Sequence, residues 1–148
     1  MTIHQPHGQV PPVRVGIIGY GFIGQHAVRS ILGGGPAESG LQLAFVHTRQ
    51  AAKLADLPAE LRLADLADWR RHGADLIVEC AHPGVTRQYG ADFLTSADYL
   101  PLSVNALGDA EVERALLEAS RQSGRRLLIP HGALIGLDNL VEGAGQWA

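Results

Sequence analysis

The chain has 148 residues, 46% hydrophobic and 18% charged, with a formal net charge of −3. It is long enough to close one hydrophobic core and too apolar to be disordered. The slightly negative balance offers no basic footprint, so nucleic acid is not an expected partner. The one cysteine, Cys80, excludes a disulfide framework and suits a reducing compartment, hence the cytoplasm. No uninterrupted apolar stretch reaches membrane-spanning length, so no membrane partner is expected. The seven histidines lack Cys or carboxylate partners at ligand spacing, so no metal is expected.

In chain order, residues 1–12 hold His4, His7 and prolines and read as a loose tail, neither signal peptide nor anchor. Residues 13–18 are a continuous apolar run, as expected of a strand covered on both faces. A helix follows, with Ile23, Ala27, Ile31 and Leu32 on one face, ended by Gly33-Gly34-Gly35-Pro36. A second strand is expected at 41–46, a short helix at 51–57 broken at Pro58, a weak strand at 61–63 and a helical turn at 66–71. Beyond Gly73 comes a strand at 75–80, and Pro83-Gly84 starts a helix running to about Ala97. A strand at 99–104 conflicts with Pro101, which cannot donate to a ladder; either the strand is an edge there or it starts late. Asp109 is a good N-cap for a helix that buries Val112, Ala115, Leu116 and Ala119 and stops at Gly124. A sixth strand is expected at 125–129, and 138–144 begins another helix. Strand-like and helix-like segments therefore alternate, which is the pattern of a parallel α/β sheet.

Gly19-Tyr20-Gly21-Phe22-Ile23-Gly24 stands between the first strand and the first helix. This is the context in which G-x-G-x-x-G signals dinucleotide binding. Gly19 permits the tight turn, Gly21 lets backbone approach a pyrophosphate, and Gly24 lets the helix pack on the sheet. The helix N-terminus adds unpaired N–H groups and the positive end of its dipole. The expected cofactor is NAD or NADP.

Four further segments fall at the carboxyl ends of strands, where doubly wound sheets bind ligands. His47-Thr48-Arg49 ends the second strand without the carboxylate that usually grips the ribose of NAD. Arg49 and Thr48 could hold the 2′-phosphate of NADP; an exposed arginine after a strand is the other reading. In Glu79-Cys80-Ala81-His82-Pro83, small Ala81 admits a flat ring and Pro83 forces His82 into extended geometry. His82 could serve as acid or base, or simply line the cofactor cleft; Cys80 reads as a small hydrophobe. Ser103 and Asn105 could hydrogen-bond a nicotinamide amide, or belong to a purely structural turn in which Asn105 and Gly108 take positive φ. Gly132, in His131-Gly132-Ala133-Leu134, permits close approach of cofactor or substrate.

These segments resemble the L-aspartate dehydrogenase family, in particular the aspartate dehydrogenase domain-containing proteins. The resemblance lies in Val15-Gly16-Ile17-Ile18-Gly19-Tyr20-Gly21, Val78-Glu79-Cys80-Ala81-His82-Pro83, Ala106-Leu107 followed by Asp109, and His131-Gly132-Ala133-Leu134-Ile135-Gly136-Leu137-Asp138. It covers the chain from Val13 onward, and the last three stretches are more specific than the glycine motif. It implies a Rossmann-type doubly wound, mostly parallel α/β sheet at 13–133, with 134–148 starting an α+β catalytic domain absent from this chain. It implies NAD(P)-dependent oxidative deamination of L-aspartate to oxaloacetate and ammonia through iminoaspartate, with the family's catalytic histidine in the absent half. By this analogy Gly19, Gly21, Phe22, Ile23 and Gly24 hold the pyrophosphate. Ala81, His82 and Ser103 border the nicotinamide, and Gly132 and Ala133 the small-molecule substrate. Many family members have Ser-Val-Gly-Ala-Leu where this chain has Ser103-Val104-Asn105-Ala106-Leu107, and Ser-Gly-Ala-Ile-Gly where His131 and Ile135 appear here, so polar contacts with substrate could differ. The rivals are another Rossmann reductase of amino-acid metabolism, like homoserine dehydrogenase or dihydrodipicolinate reductase, and a non-catalytic nucleotide-binding module. Homo-oligomerisation stays open.

Overall fold

The computed structural model describes residues 11–130. Its elements are β1 (Val13–Ile18), α1 (Phe22–Ser39), β2 (Leu41–His47), β3 (Arg62–Leu63), β4 (Leu76–Glu79), α2 (Pro83–Phe93), β5 (Asp98–Pro101) and α3 (Ala110–Ser123). Short 3-10 segments lie at Ala51–Leu54, Ala59–Leu61, Leu66–His72 and Val104–Gly108. The five strands run β3-β2-β1-β4-β5, and β1/β2 and β2/β3 pair in parallel. This is the Rossmann-like α/β class expected. The chain divides into two compact units after Leu76. Among the described residues no helix is long and apolar enough to cross a membrane.

In the first unit, Val15, Ile17 and Ile18 of β1 and Leu43, Ala44, Phe45 and Val46 of β2 are all buried. Burial is continuous and does not alternate, because both faces of these strands are covered. Leu63 of β3, with Leu54, Leu57, Leu66 and Trp69 from the segments around it, completes this core. Arg14 ties that return segment down. Its Nε donates to the Gly73 carbonyl at 2.8 Å, its guanidinium to that of His72 at 2.6 Å, and its backbone N–H to Asp75 at 2.9 Å.

α1 differs from expectation at both ends of its apolar pattern. It continues through Gly33-Gly34-Gly35-Pro36 to Ser39, although each glycine costs about 1 kcal/mol relative to alanine in a helix and proline about 3. The stop is Gly40, whose φ of +66° turns the chain into β2, and whose carbonyl accepts the Val13 N–H at 2.9 Å. Leu41 must enter the sheet opposite Val13, so pairing with β1 decides where the helix ends. The buried face of α1 holds Gly24, Val28 and Ile31, while Ile23 and Leu32 are exposed. Gly24 is thus buried where Ile23 beside it is exposed.

In the second unit, Ile77, Phe93, Leu94, Ala97, Tyr99, Ala106 and Leu116 are buried. The Phe93 and Tyr99 rings lie 5.2 Å apart. A Cβ on Gly90 would fall 2.7 Å from Leu116 and 3.2 Å from Tyr99, so a residue without a side chain lets α2 approach α3 and β5. α2 ends at Phe93, short of Ala97, and the expected helix at 51–57 is a single 3-10 turn. β5 starts at Asp98 and closes at Pro101, so the missing N–H falls on its last residue. Asp109 caps α3, accepting from the Glu111 and Val112 N–H groups, and Gly124 ends it at φ +71°. Only Leu116 of the expected apolar stripe is fully buried; Ala115 is exposed.

The expected strand at 125–129 is reduced to one parallel bridge, Tyr99 with Leu127. It is pinned by Asp98, which accepts the Arg126 N–H at 2.8 Å and the guanidinium at 2.6–2.8 Å. Burial works to raise the Asp98 carboxyl, but the Arg126 hydrogen bonds and charge outweigh it and hold the group below its ordinary value.

A depressed carboxyl contributes stability above its unfolded-state pKa and loses it as pH falls through the folded value. Urea unfolding from pH 6 to pH 3 should therefore show an acid loss that is smaller in Asp98→Asn; equal acid sensitivity would remove the clamp from the account. Gly16→Ala places a Cβ 2.4 Å from the ring of fully buried Phe45. It should cost about 1–3 kcal/mol in urea unfolding, with partial recovery on adding Phe45→Leu.

Candidate functional site

The glycine turn is built by the residues that leave β1. Gly19 has φ +104°, a region closed to side-chain-bearing residues. Its N–H donates to the His47 carbonyl at 2.8 Å. Gly19 thus contributes its dihedral, and its N–H ties the end of β1 to the end of β2. The first helical bond runs from the Gln25 N–H to the Gly21 carbonyl at 2.9 Å. The N–H groups of Phe22, Ile23 and Gly24 therefore precede the ladder and have no acceptor within it.

No acidic residue lies in the first turn of α1, and a Cβ placed on Gly21 would meet nothing within 4 Å. Phe22 is 87% exposed and Ile23 57%. An open, uncharged face over unsatisfied N–H groups at the positive end of a helix is a cradle for an anion such as a pyrophosphate. The residues present fit the group that the motif implies.

At the end of β2, the His47 Nδ1 lies 2.9 Å from the Leu63 carbonyl, which fixes the ring on β3. A group facing a carbonyl at that distance donates, so His47 carries its proton on Nδ1. Thr48 Oγ1 accepts the Gln50 N–H at 3.4 Å, and Arg49 is exposed. No carboxylate stands among His47, Thr48 and Arg49.

The second unit carries a feature that pattern reading passed over. Glu79, the last residue of β4, is fully buried. Its Oε1 accepts the Ala81 and His82 N–H groups, each at 2.7 Å, and the Ser103 hydroxyl at 3.1 Å. Its Oε2 accepts the Ser103 N–H at 3.2 Å and lies 3.5 Å from the Thr86 hydroxyl. Tyr99, whose phenol is pushed up by burial, sits 2.9 Å from the same Thr86 oxygen. Every partner of Glu79 is an N–H or O–H donor, matching an acceptor-only carboxylate. Removing a carboxylate from water is costly, and only full satisfaction of its lone pairs offsets that. A signal for it was available: an acidic residue ending an otherwise apolar strand needs partners, here supplied by the loop that follows.

His82 has φ −165°, ψ 142°, the extended geometry expected before proline. Its Nδ1 accepts the Gly84 N–H at 2.9 Å and caps α2. The neutral ring therefore carries its hydrogen on Nε2, and the residue as a whole is exposed. Ala81 is exposed and Ser103 half-buried. Asn105 is exposed within the 3-10 segment and neither it nor Gly108 has positive φ, contrary to expectation. A 3-10 turn bends the chain with negative φ throughout, so no left-handed residue is needed. Gly132 and Ala133 lie outside the described residues.

The half-buried Cys80 thiol is pushed up to about 11, first by burial and then by the Glu79 charge. At neutral pH it is a thiol and not a nucleophile. Its alkylation by iodoacetamide should be slow at pH 8 and keep rising beyond pH 10; a plateau near pH 8 would contradict this placement.

Fold and site together define a dinucleotide-binding domain of the dehydrogenase kind, taking NAD or NADP. Residues 19–130 match the family described as "Homoserine dehydrogenase, NAD binding domain", and the chain belongs to that family. It is also similar to proteins named for aspartate dehydrogenase. It is 46% identical over 125 residues to the aspartate dehydrogenase domain-containing protein of Danio rerio, covering 84% of this chain and 45% of the relative. It is 32% identical over 132 residues to L-aspartate dehydrogenase of Methanospirillum hungatei, covering 88% and 51%. The chain thus spans about half the length of the curated relatives it matches. Among solved structures, aspartate dehydrogenase from Thermotoga maritima superposes with a TM-score of 0.65 at 25% identity, covering 88% of this chain and 50% of that one. An engineered D-amino acid dehydrogenase bound to NADP+ shares the fold, with a TM-score of 0.67 at 21% identity, covering 91% and 41%.

Proposed function

We propose that the chain is the cofactor-binding half of an NAD(P)-dependent dehydrogenase that oxidises L-aspartate to oxaloacetate and ammonia by way of iminoaspartate. The observation that carries this is the open glycine turn: φ +104° at Gly19, nothing within 4 Å of a Cβ on Gly21, and a first helical turn free of acid. The relatives named for aspartate dehydrogenase support the choice of substrate.

When bound, the nicotinamide supplies the acceptor for the hydride leaving the aspartate Cα. The chain's own part is to bind and orient. Phe22, Ile23 and Gly24 offer N–H groups to the pyrophosphate, with Gly19 and Gly21 shaping the turn. Thr48 and Arg49, beside His47, receive the 2′-phosphate of NADP, since a cation there attracts the group that a carboxylate would repel. Ala81 leaves room for the nicotinamide ring, with His82, Ser103 and Asn105 at its polar edge, and Gly132 and Ala133 belong to the substrate side. A second reading, oxidoreduction of a homoserine-like substrate, is favoured by the description of the matching family.

Titration of the chain with NADPH and NADH should show binding of both, tighter for NADPH, and Arg49→Ala should erase that difference; tighter NADH binding would sink the 2′-phosphate assignment. The chain alone should not reduce the cofactor with L-aspartate. A chimera joining residues 1–130 to the C-terminal half of the Danio rerio relative should do so with L-aspartate and not with homoserine; the reverse preference would establish the second reading.

A further inference from the structure

Ser103 Oγ donates its only hydrogen to Glu79 Oε1 at 3.1 Å. The Ser103 N–H is held by the other oxygen of the same carboxylate at 3.2 Å. A carboxylate with five donors around it has no hydrogen to return, so the direction of the Ser103–Glu79 bond cannot reverse. What Ser103 has left is oxygen lone pairs. Hydroxyls normally rotate to suit either a donor or an acceptor; this one is restricted to accepting. Glu79 is fully buried and cannot touch a ligand itself, so what it contributes to recognition passes through Ser103 and through the Ala81-His82 turn it holds.

We propose that Glu79 is a positioning residue that turns Ser103 into a dedicated hydrogen-bond acceptor, selecting a ligand group that carries an N–H donor. On the reading above, on which this proposal rests, that group is the carboxamide NH2 of the nicotinamide. The Nε2–H of the exposed residue His82, whose tautomer is set by the Gly84 N–H, supplies a donor from the loop held by the same Glu79 oxygen. A primary carboxamide presents an accepting oxygen on one side and a donating NH2 on the other, and the two side chains offer the opposite pair.

The test uses the 148-residue chain and three probes: NAD+, its 3-acetylpyridine analogue, in which a methyl replaces the NH2, and ADP-ribose, which lacks the pyridine ring. Wild type should favour NAD+ over the acetyl analogue by about five- to tenfold, the worth of one hydrogen bond. Ser103→Ala should reduce that ratio to about one while ADP-ribose affinity stays within about twofold. Glu79→Gln should do the same, because its NH2 would confront the Ser103 N–H and displace the residue. The double variant should lose no more than either single one. Equal wild-type affinity for NAD+ and the acetyl analogue would overturn the proposal. So would a Glu79→Gln effect equal on all three probes, since that is what a merely structural residue produces. If Glu79→Gln fails to fold, the Ser103→Ala ratio decides alone. Failure of ADP-ribose to bind wild type would overturn the glycine-turn reading and not this one. Proton NMR of the ligand-free chain then decides: a slowly exchanging Ser103 hydroxyl proton close to the Glu79 side chain is required, and its absence overturns the assignment.

Discussion

The second unit is organised around one buried negative charge. Five donors converge on the two oxygens of Glu79, drawn from the turn after β4, from α2 and from the turn after β5. An isolated carboxylate in such a place would be driven to protonate or to unfold its surroundings. Fully satisfied, it does the opposite: it dictates where the backbone of Ala81, His82 and Ser103 must lie. Cys80 shows the same charge acting outward, its thiol held in the neutral form by burial and by its neighbour.

The glycine turn of the first unit solves a different problem with a different device. There the N–H groups are left unpaired on purpose, at the start of α1, and the conformation that exposes them is held by a φ that only glycine adopts readily. The tie from Gly19 to the His47 carbonyl makes the ends of β1 and β2 one rigid piece. Donors without partners in one unit, and an acceptor with every partner in the other, are two routes to a preorganised surface. Both occur where strands end, the place where α/β sheets carry their ligands.

Much of this was legible in the sequence because it depends on neighbours along the chain. β1 was readable from an apolar run, the α3 cap from Asp109, its stop from Gly124, and the geometry of His82 from Pro83. The glycine turn belongs to the same group, since strand, turn and helix are contiguous. The misreadings share the opposite property. The end of α1 depends on the register of Leu41 against Val13, the burial of Ile23 and Leu32 on what the helix faces, and the fate of 125–129 on how much of β5 is available to pair.

The amino-acid order by itself therefore determined the class of fold, the glycine turn and the absence of a carboxylate among the residues that end β2, for each rests on local backbone geometry or on which residue types are present. Only the tertiary structure decided that Glu79 is the hub of the second unit, that Gly16 and Gly90 are small because Phe45 and Leu116 lie against them, and that the Ser103 hydroxyl has one direction left in which to bond. Ser103 stands 24 positions from Glu79. A hydrogen bond's direction is fixed by what surrounds both partners, and contacts at that separation exist only after the chain has folded.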